Sequence, residues 1–355
     1  MWTFRTEAKN QGTQCFPSSE VGRGRASNGC CLLRLGSQYL VTALTACCLL
    51  PAAYCLLAAG GRYAVLEVKP QVFVWVPEDI IEQDGDPRFS RAGNSGFIVT
   101  EDGVVVVDTT NTPFHARELL YEIRRRTDQP VKYVINTGSE GDETLGNEVF
   151  ADLQAVIIST PVAQARIRSY QRELSGEQQG DLKLQARMRG IHLTIPNQTF
   201  EPQTTMRIGG EEVRLITLGN TASSGDSAVH LPGAKVLFLG DLYDNAYFPE
   251  IGTRDVRGWV EALRQVEALD VEIYVPGHGN PSGKKELVNF RWFLEWLTAE
   301  VRTRVQEGKT LEQVKGELLP FTTYHWRAPE LGPGAVEAVY RQLTSASQKS
   351  TQSSR

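Results

Sequence analysis

The chain has 355 residues, 41% of them apolar, which is enough for a sizeable core, and a formal net charge of −5. The first 60 residues hold five basic side chains (Arg5, Lys9, Arg23, Arg25, Arg34) against two acidic ones (Glu7, Glu20), so the remainder carries 32 basic and 40 acidic side chains. An acidic domain without a basic run lacks the clustered Lys and Arg that neutralise phosphates, which argues against nucleic acid as a partner. All six cysteines (Cys15, Cys30, Cys31, Cys47, Cys48, Cys55) also fall in that N-terminal stretch, which excludes thiolate zinc sites and Cys nucleophiles from the rest.

Tyr39 to Ala59 carries no charge across 21 residues and follows a basic stretch ending at Arg34. Its length suits a membrane span. Its basic flank, the small residues Ala58-Ala59-Gly60 and the late Pro51 suit a cleaved signal peptide. Leu44-Thr45-Ala46-Cys47 resembles a bacterial lipobox, which would lipidate Cys47. Each of the three predicts export, with the domain periplasmic, extracellular or held at a membrane outside the cytoplasm. The expected organisation is a polar N-terminus plus signal or anchor over 1–61, a globular domain over 62–283, C-terminal helices packed on it over 284–346, and a disordered tail over 347–355.

Residues 66–76 alternate apolar and polar and read as one strand. Residues 96–100 and 104–107 are strands joined by the turn Glu101-Asp102-Gly103. A helix is predicted over 113–127, with Pro113 in its first turn and Leu119, Leu120 and Ile123 facing the core. Strands follow at 130–135 and 155–158, then helices over 161–188 interrupted near Gly176–Gly180. Two hairpins come next, 204–208 with 213–218 and 227–231 with 236–239. A helix over 254–269, a strand over 271–275 and the helices of 284–346 complete the pattern. Sheet and helices followed by sheet and helices again indicate an α/β class, with helices outside two sheets.

Five loops sit at strand ends: Val107-Asp108-Thr109-Thr110, Asn136-Thr137-Gly138-Ser139-Glu140-Gly141-Asp142-Glu143, Gly219-Asn220-Thr221-Ala222-Ser223-Ser224-Gly225-Asp226, Leu239-Gly240-Asp241-Leu242 and Val275-Pro276-Gly277-His278-Gly279. In this order and spacing the set resembles the metallo-β-lactamase superfamily of hydrolases over about residues 70–285. The resemblance implies a four-layer αββα sandwich with an added C-terminal helical segment. In that family the second loop reads H-x-H-x-D-H, the third contains H-T-x-G-D, the GD aspartate bridges two metal ions and the last loop supplies a histidine. Carried across, Asp142, Asp241 and His278 are kept. Gly138, Glu140, Glu143 and Ala222 stand where histidines are expected.

Gly138 and Ala222 have no ligating atoms, so the resemblance leaves Glu140 and Asp241 for the first ion. It leaves Asp142, Glu143, Asp241 and His278 for the second. Without a cation these acids would converge, and each pair about 4 Å apart costs on the order of 4 kcal/mol at an effective dielectric near 20. They must bind a cation, take up protons or separate. A carboxylate-rich set suits a harder ion such as manganese or iron(II) better than a histidine-rich zinc pair does. The expected cofactor is one divalent ion (manganese, iron or zinc) or none at all. The alternative for the second loop is structural: Ser139-x-x-Asp142 resembles a capping box, with Asp142 and Glu143 in a first helical turn. Asp108 and Asp226 are expected to make loop hydrogen bonds, and His115, His192, His230 and His325 to be structural or exposed.

Three functions remain open. One is a hydrolase-like protein without ordinary dinuclear zinc activity. The second is an active ester, lactone or amide hydrolase using one carboxylate-rich metal, with Asp142 orienting the attacking water or taking its proton. The third is a non-catalytic binding or scaffold protein near a membrane. No substrate is legible.

Overall fold

The structure is a computed structural model that describes residues 63–78, 91–177, 191–200, 202–218, 225–318 and 325–353. The apolar segment 39–59 lies outside these residues, and among them no helix is long and apolar enough to cross a membrane.

Strands β1 (Tyr63–Lys69), β2 (Val72–Pro77), β3 (Ser95–Thr100) and β4 (Gly103–Val107) open a seven-stranded sheet. Helix α1 (Pro113–Arg124) leads to β5 (Val131–Ile135), and the short helices α2 (Gly141–Thr144) and α3 (Asn147–Ala151) lead to β6 (Val156–Ser159). Helix α4 (Pro161–Glu177) and β7 (Gln198–Thr199) finish this half. The five-stranded sheet contains β8 (Gln203–Ile208), β9 (Glu211–Thr217), β10 (Ser227–Leu231), β11 (Val236–Asp244) and β12 (Ile273–His278), in the order β12-β11-β10-β9-β8. Helix α5 (Val256–Glu267) joins the last two, and α6 (Lys284–Gln306), α7 (Leu311–Leu318) and α8 (Gly332–Ser353) follow.

The two-residue period of β4 builds the layers. Val105 and Val107 point between the sheets to meet Val229, Phe238 and Val275. Val104 and Val106 point outward against Leu119, Ile123 and Phe150. The outer face of the second sheet, with Leu237, Leu239 and Tyr274, is covered by Trp259, Leu263, Phe290, Phe293 and Val336. Both sheets are thus apolar on both faces, the condition for a four-layer sandwich. The C-terminal helices pack on the second sheet.

Three expectations change. The alternating run 66–76 is a hairpin, because Pro70 and Gln71 (φ 64°) turn the chain between β1 and β2. Helix α8 continues to Ser353, through most of the stretch read from composition as a disordered tail. The helix expected from 254 starts at Val256, capped by the Asp255 side chain accepting the Arg257 N–H at 3.2 Å. The predicted helical segment after Glu177 lies outside the described residues.

Strands β4, β5 and β6 run parallel, as do β11 and β12. Their C-terminal ends deliver the loops 108–112, 136–143, 241–245 and 278–279 to one edge of the sandwich, where open α/β sheets place their ligands.

Candidate metal centre

At the end of β4 the chain passes through two left-handed residues, Asp108 (φ 59°) and Thr110 (φ 68°). Asp108 is buried, and its carboxylate accepts the Thr137 N–H and the Thr137 hydroxyl, both at 2.7 Å. That hydroxyl also lies 3.1 Å from Glu143 Oε1. A hydroxyl has one hydrogen to donate, so one of the two acids must itself carry a proton. Burial raises Glu143 well above the ordinary carboxylate range, reinforced by the charges of Asp108 and Asp241. Burial raises Asp108 to about 7 against the opposing Thr137 bonds.

Glu143 serves the loop in this geometry and stands outside the group that Asp142 joins. Its Oε2 accepts the Glu140 N–H at 3.0 Å. Its carboxylate fills the space beside Gly138, where any added Cβ would overlap it. The helix-start interaction runs between Glu140 and Glu143, not from Ser139 to Asp142. The Glu143 carbonyl accepts from Thr109 N–H (2.8 Å) and Asn136 Nδ2 (3.0 Å), which ties the loop to the ends of β4 and β5.

Asp142, Asp241 and His278 come together. Their ligating atoms lie within 4.8 Å of one another, the only such group of at least three among the described residues. His278 Nε2 is 3.0 Å from Asp142 Oδ2 and 3.7 Å from Asp241 Oδ1. Close backbone packing sets this geometry. A side chain at Gly277 would overlap Asp241 Oδ1, and Gly240 (φ 49°) lets β11 pass against Thr137. Asn94 donates to the carbonyls of Pro276 (2.9 Å) and Gly279 (2.7 Å), fixing the turn around His278.

Residues 89–278 match the family model of the metallo-beta-lactamase superfamily. The chain belongs to that superfamily. It is similar to a linear primary-alkylsulfatase from Pseudomonas sp., 23% identical over 224 residues, 54% of this chain and 42% of the relative. It is also 24% identical over 179 residues to the alpha subunit of a 2,4-dinitroanisole O-demethylase from Nocardioides sp., 50% of this chain and 49% of that one. The chain thus spans about half the length, or less, of these curated relatives. Among solved structures, a stereoselective inverting sec-alkylsulfatase from Pseudomonas sp. superposes with TM-score 0.56 and 20% identity, covering 79% of this chain and 50% of that one. A metallo-beta-lactamase from Pontibacter korlensis does so with TM-score 0.53 and 20% identity, covering 66% and 99%. At these identities the structural likeness establishes the fold.

Divalent metals are usual in this superfamily, and Asp142, Asp241 and His278 fit one. The buried Oδ1 of Asp241 has no hydrogen-bond partner among the described residues, so a donor atom is held ready at the centre of the group. Burial raises Asp241 well above the ordinary carboxylate range, and the Asp142 charge adds to this while His278 and Arg254 oppose it. Burial alone would lower His278, but the Asp142 hydrogen bond and the Asp241 charge outweigh it and raise the imidazole to about 9. A cation held by these residues would have to displace that proton.

A cleft of about 50 Å³ opens onto the group, lined also by Arg91, Glu140, Asp244, Glu250 and Arg254. Asp244 and Arg254 were not picked out from the sequence. Asp244 is buried, its Oδ1 lacks a hydrogen-bond partner among the described residues, and burial raises it to about 6. Arg254 is 5% exposed, with Nη2 3.3 Å from Glu140 Oε1 and 3.4 Å from Asp241 Oδ2. Its Nη1 donates to the Asp241 carbonyl at 2.6 Å and lies 3.7 Å from Asp226 Oδ2. Asp226, expected to serve its own loop, thus faces Arg254. Glu140, whose side chain is 44% exposed, pairs with this arginine and stands outside the Asp142 group. Ala222 lies outside the described residues. His115 bonds Asn111 (2.7 Å) and His230 is buried in β10, so neither joins the cleft.

Proposed function

We infer that this chain is a single-metal member of its superfamily, holding one divalent ion through Asp142, Asp241 and His278 and lacking ordinary dinuclear zinc hydrolysis. The observation that carries the reading is the convergence of these three donors around Asp241 Oδ1, which has no hydrogen-bond partner among the described residues. Two carboxylates and one imidazole favour a harder ion such as manganese or iron(II) over a second zinc. When bound, such an ion supplies Lewis acidity towards an oxygen of a substrate ester and acidifies a water. The protein's part is to hold the donors rigidly and to keep a negative cleft around them. His278 Nε2 lies 3.0 Å from Asp142 Oδ2, and this contact orients both side chains towards the position an ion would take.

Dinuclear hydrolysis needs a second ion to clamp the attacking and leaving oxygens. Gly138 supplies no donor for it, and Glu143 occupies the adjoining space. The alkylsulfatase relatives make sulfate esters the first substrates to test, beside carboxylate esters, thioesters, lactones and β-lactams. Calorimetric titration of the full-length chain with manganese and zinc should give one ion per chain, and turnover with these substrates should be weak or absent. Two tightly held zinc ions, or robust zinc-dependent turnover, overturn this reading.

The uncharged stretch 39–59 behind its basic flank supports placing the domain outside the cytoplasm. Fusing residues 1–62 to a reporter active only there tests this, and a silent reporter with abundant cytoplasmic product removes it.

A further inference from the structure

We propose that the Arg254 guanidinium is a built-in cation, filling a carboxylate site beside the exchangeable ion, and that removing it opens that site to a second divalent cation. The proposal rests on the single-ion reading of Asp142, Asp241 and His278. Its basis is the way Asp241 is shared. Oδ1 faces His278 at 3.7 Å, whereas Oδ2 faces Arg254 Nη2 at 3.4 Å. One carboxylate thus bridges two cation positions, one filled by a side chain.

The arginine position is built. The guanidinium is met by Glu140 Oε1 at 3.3 Å, Asp241 Oδ2 at 3.4 Å and Asp226 Oδ2 at 3.7 Å. Its carbon lies 5.1 Å from the Trp259 ring centroid, against the ring face. The backbone is pinned as well: Gln342 Nε2 donates to the Arg254 carbonyl at 2.7 Å, and the Arg254 N–H donates to the Ile251 carbonyl at 2.8 Å. Arginine does not deprotonate in proteins, so this cation is permanent. Without it, Glu140, Asp226 and Asp241 form an all-oxygen set of the kind that manganese or calcium takes.

The test uses the full-length chain and manganese alone, followed by calorimetry and by circular dichroism as a check on folding. Native protein should bind one ion and Arg254→Ala two. In Arg254→Ala/Glu140→Gln the added ion should bind at least tenfold more weakly. Millimolar methylguanidinium should compete with the added ion in Arg254→Ala and leave the native ion untouched. If the single-ion reading is the one that fails, native protein binds none and Arg254→Ala binds one, still sensitive to methylguanidinium. If Arg254→Ala does not fold alone, manganese or methylguanidinium should restore its native spectrum. A folded Arg254→Ala that binds no more manganese than native protein overturns the proposal, as does an unfolded one that neither cation restores.

Discussion

Asp241 divides the cleft into two halves that meet negative charge in different ways. On its Oδ2 side the counter-charge is covalent: Arg254 lies between Glu140, Asp226 and Asp241 and is stacked on Trp259. On its Oδ1 side the counter-charge is exchangeable, being the His278 proton facing Asp142, which on the single-ion proposal a metal ion would replace. The first half contributes to folding whatever the solution contains. The second depends on pH and on metal supply. One bridging carboxylate can therefore serve stability on one face and ligand binding on the other.

Truncation should separate the halves most sharply. Arg254→Ala leaves three carboxylates without their buried partner, and breaking such a pair from one side costs about 3–5 kcal/mol. His278→Gln removes a charged partner of Asp142 but leaves Arg254 in place, so about 1 kcal/mol should be lost. Chemical denaturation in chelator measures both. Manganese binding should respond in the opposite order, abolished in His278→Gln and retained or increased in Arg254→Ala. Equal stability losses in the two variants would show that the halves do not differ in kind.

A second probe addresses the space that Gly138 leaves. Gly138→Ala places a methyl group on the Glu143 carboxylate, and overpacking of this sort costs about 1–3 kcal/mol. Glu143→Ala makes room for it. The double variant should be more stable than the sum of the two single losses implies, giving a coupling of about 1 kcal/mol or more. Purely additive losses would mean that Glu143 does not hold that space. For the same reason, restoring a histidine at 138 requires Glu143 to be changed with it.

The sandwich itself was legible because strands such as the wholly apolar β4 read as buried on both faces and because the parallel strands end in short polar loops with Gly at the close approaches. Asp142, Asp241 and His278 were legible as the metal-ligating residue types in those loops. The hairpin of β1 and β2 was not: the alternation stops at Pro70 and Gln71 and gives way to the wholly apolar residues 72–76, a change of period at the turn that reading 66–76 as one strand passed over. The place of Glu143 follows from the empty space at Gly138, a relation between two residues in a loop that no periodicity reports. Arg254 was hidden by being counted as the first residue of a helix. Asp255 before the apolar run is a capping signal, and it leaves Arg254 outside the helix and directed into the cleft. Asp244 lay beyond the Gly240-Asp241 motif with only its burial to mark it.

Acidity should act on the cleft as a whole, and the signs agree. Burial raises Asp108 to about 7 and Asp244 to about 6. The folded state therefore holds these protons more tightly than the unfolded chain. Their stabilising contribution is complete below the unfolded carboxylate range and is lost as pH rises through 6 to 7. His278, raised to about 9, contributes stability below its unfolded value that is lost as pH climbs towards 9. In chelator the domain should thus be less stable at pH 8 than at pH 5, by several kcal/mol. Saturating manganese should reduce the difference, since the ion replaces the protons. Thermal unfolding at the two pH values, with and without the ion, measures it. A metal-free protein more stable at pH 8 would show that the cleft acids are already neutralised in another way.

The smallest expected effect tests whether the C-terminal helices support the arginine half. Gln342 on α8 donates from Nε2 to the Arg254 carbonyl at 2.7 Å, and its Oε1 accepts the Val256 N–H at 3.3 Å. It thereby spans the point where the loop becomes α5, with Arg254 on one side of the cap and the first helical residue on the other. Gln342→Ala removes both bonds, and its cost should be about 1 kcal/mol because water can replace part of what is lost at this partly buried position. Arg254 would keep its ion pairs but lose the backbone bond that fixes where they are made. Weakening only the placement of the built-in cation should let manganese compete for Glu140 and Asp241, so the variant should bind a weak added ion that native protein does not. Gln342→Glu keeps the acceptor for Val256 N–H but sets a carboxylate against the Arg254 carbonyl, and should behave like the alanine variant. A Gln342→Ala protein with native stability and one ion would show that α8 covers the second sheet without acting on the cleft.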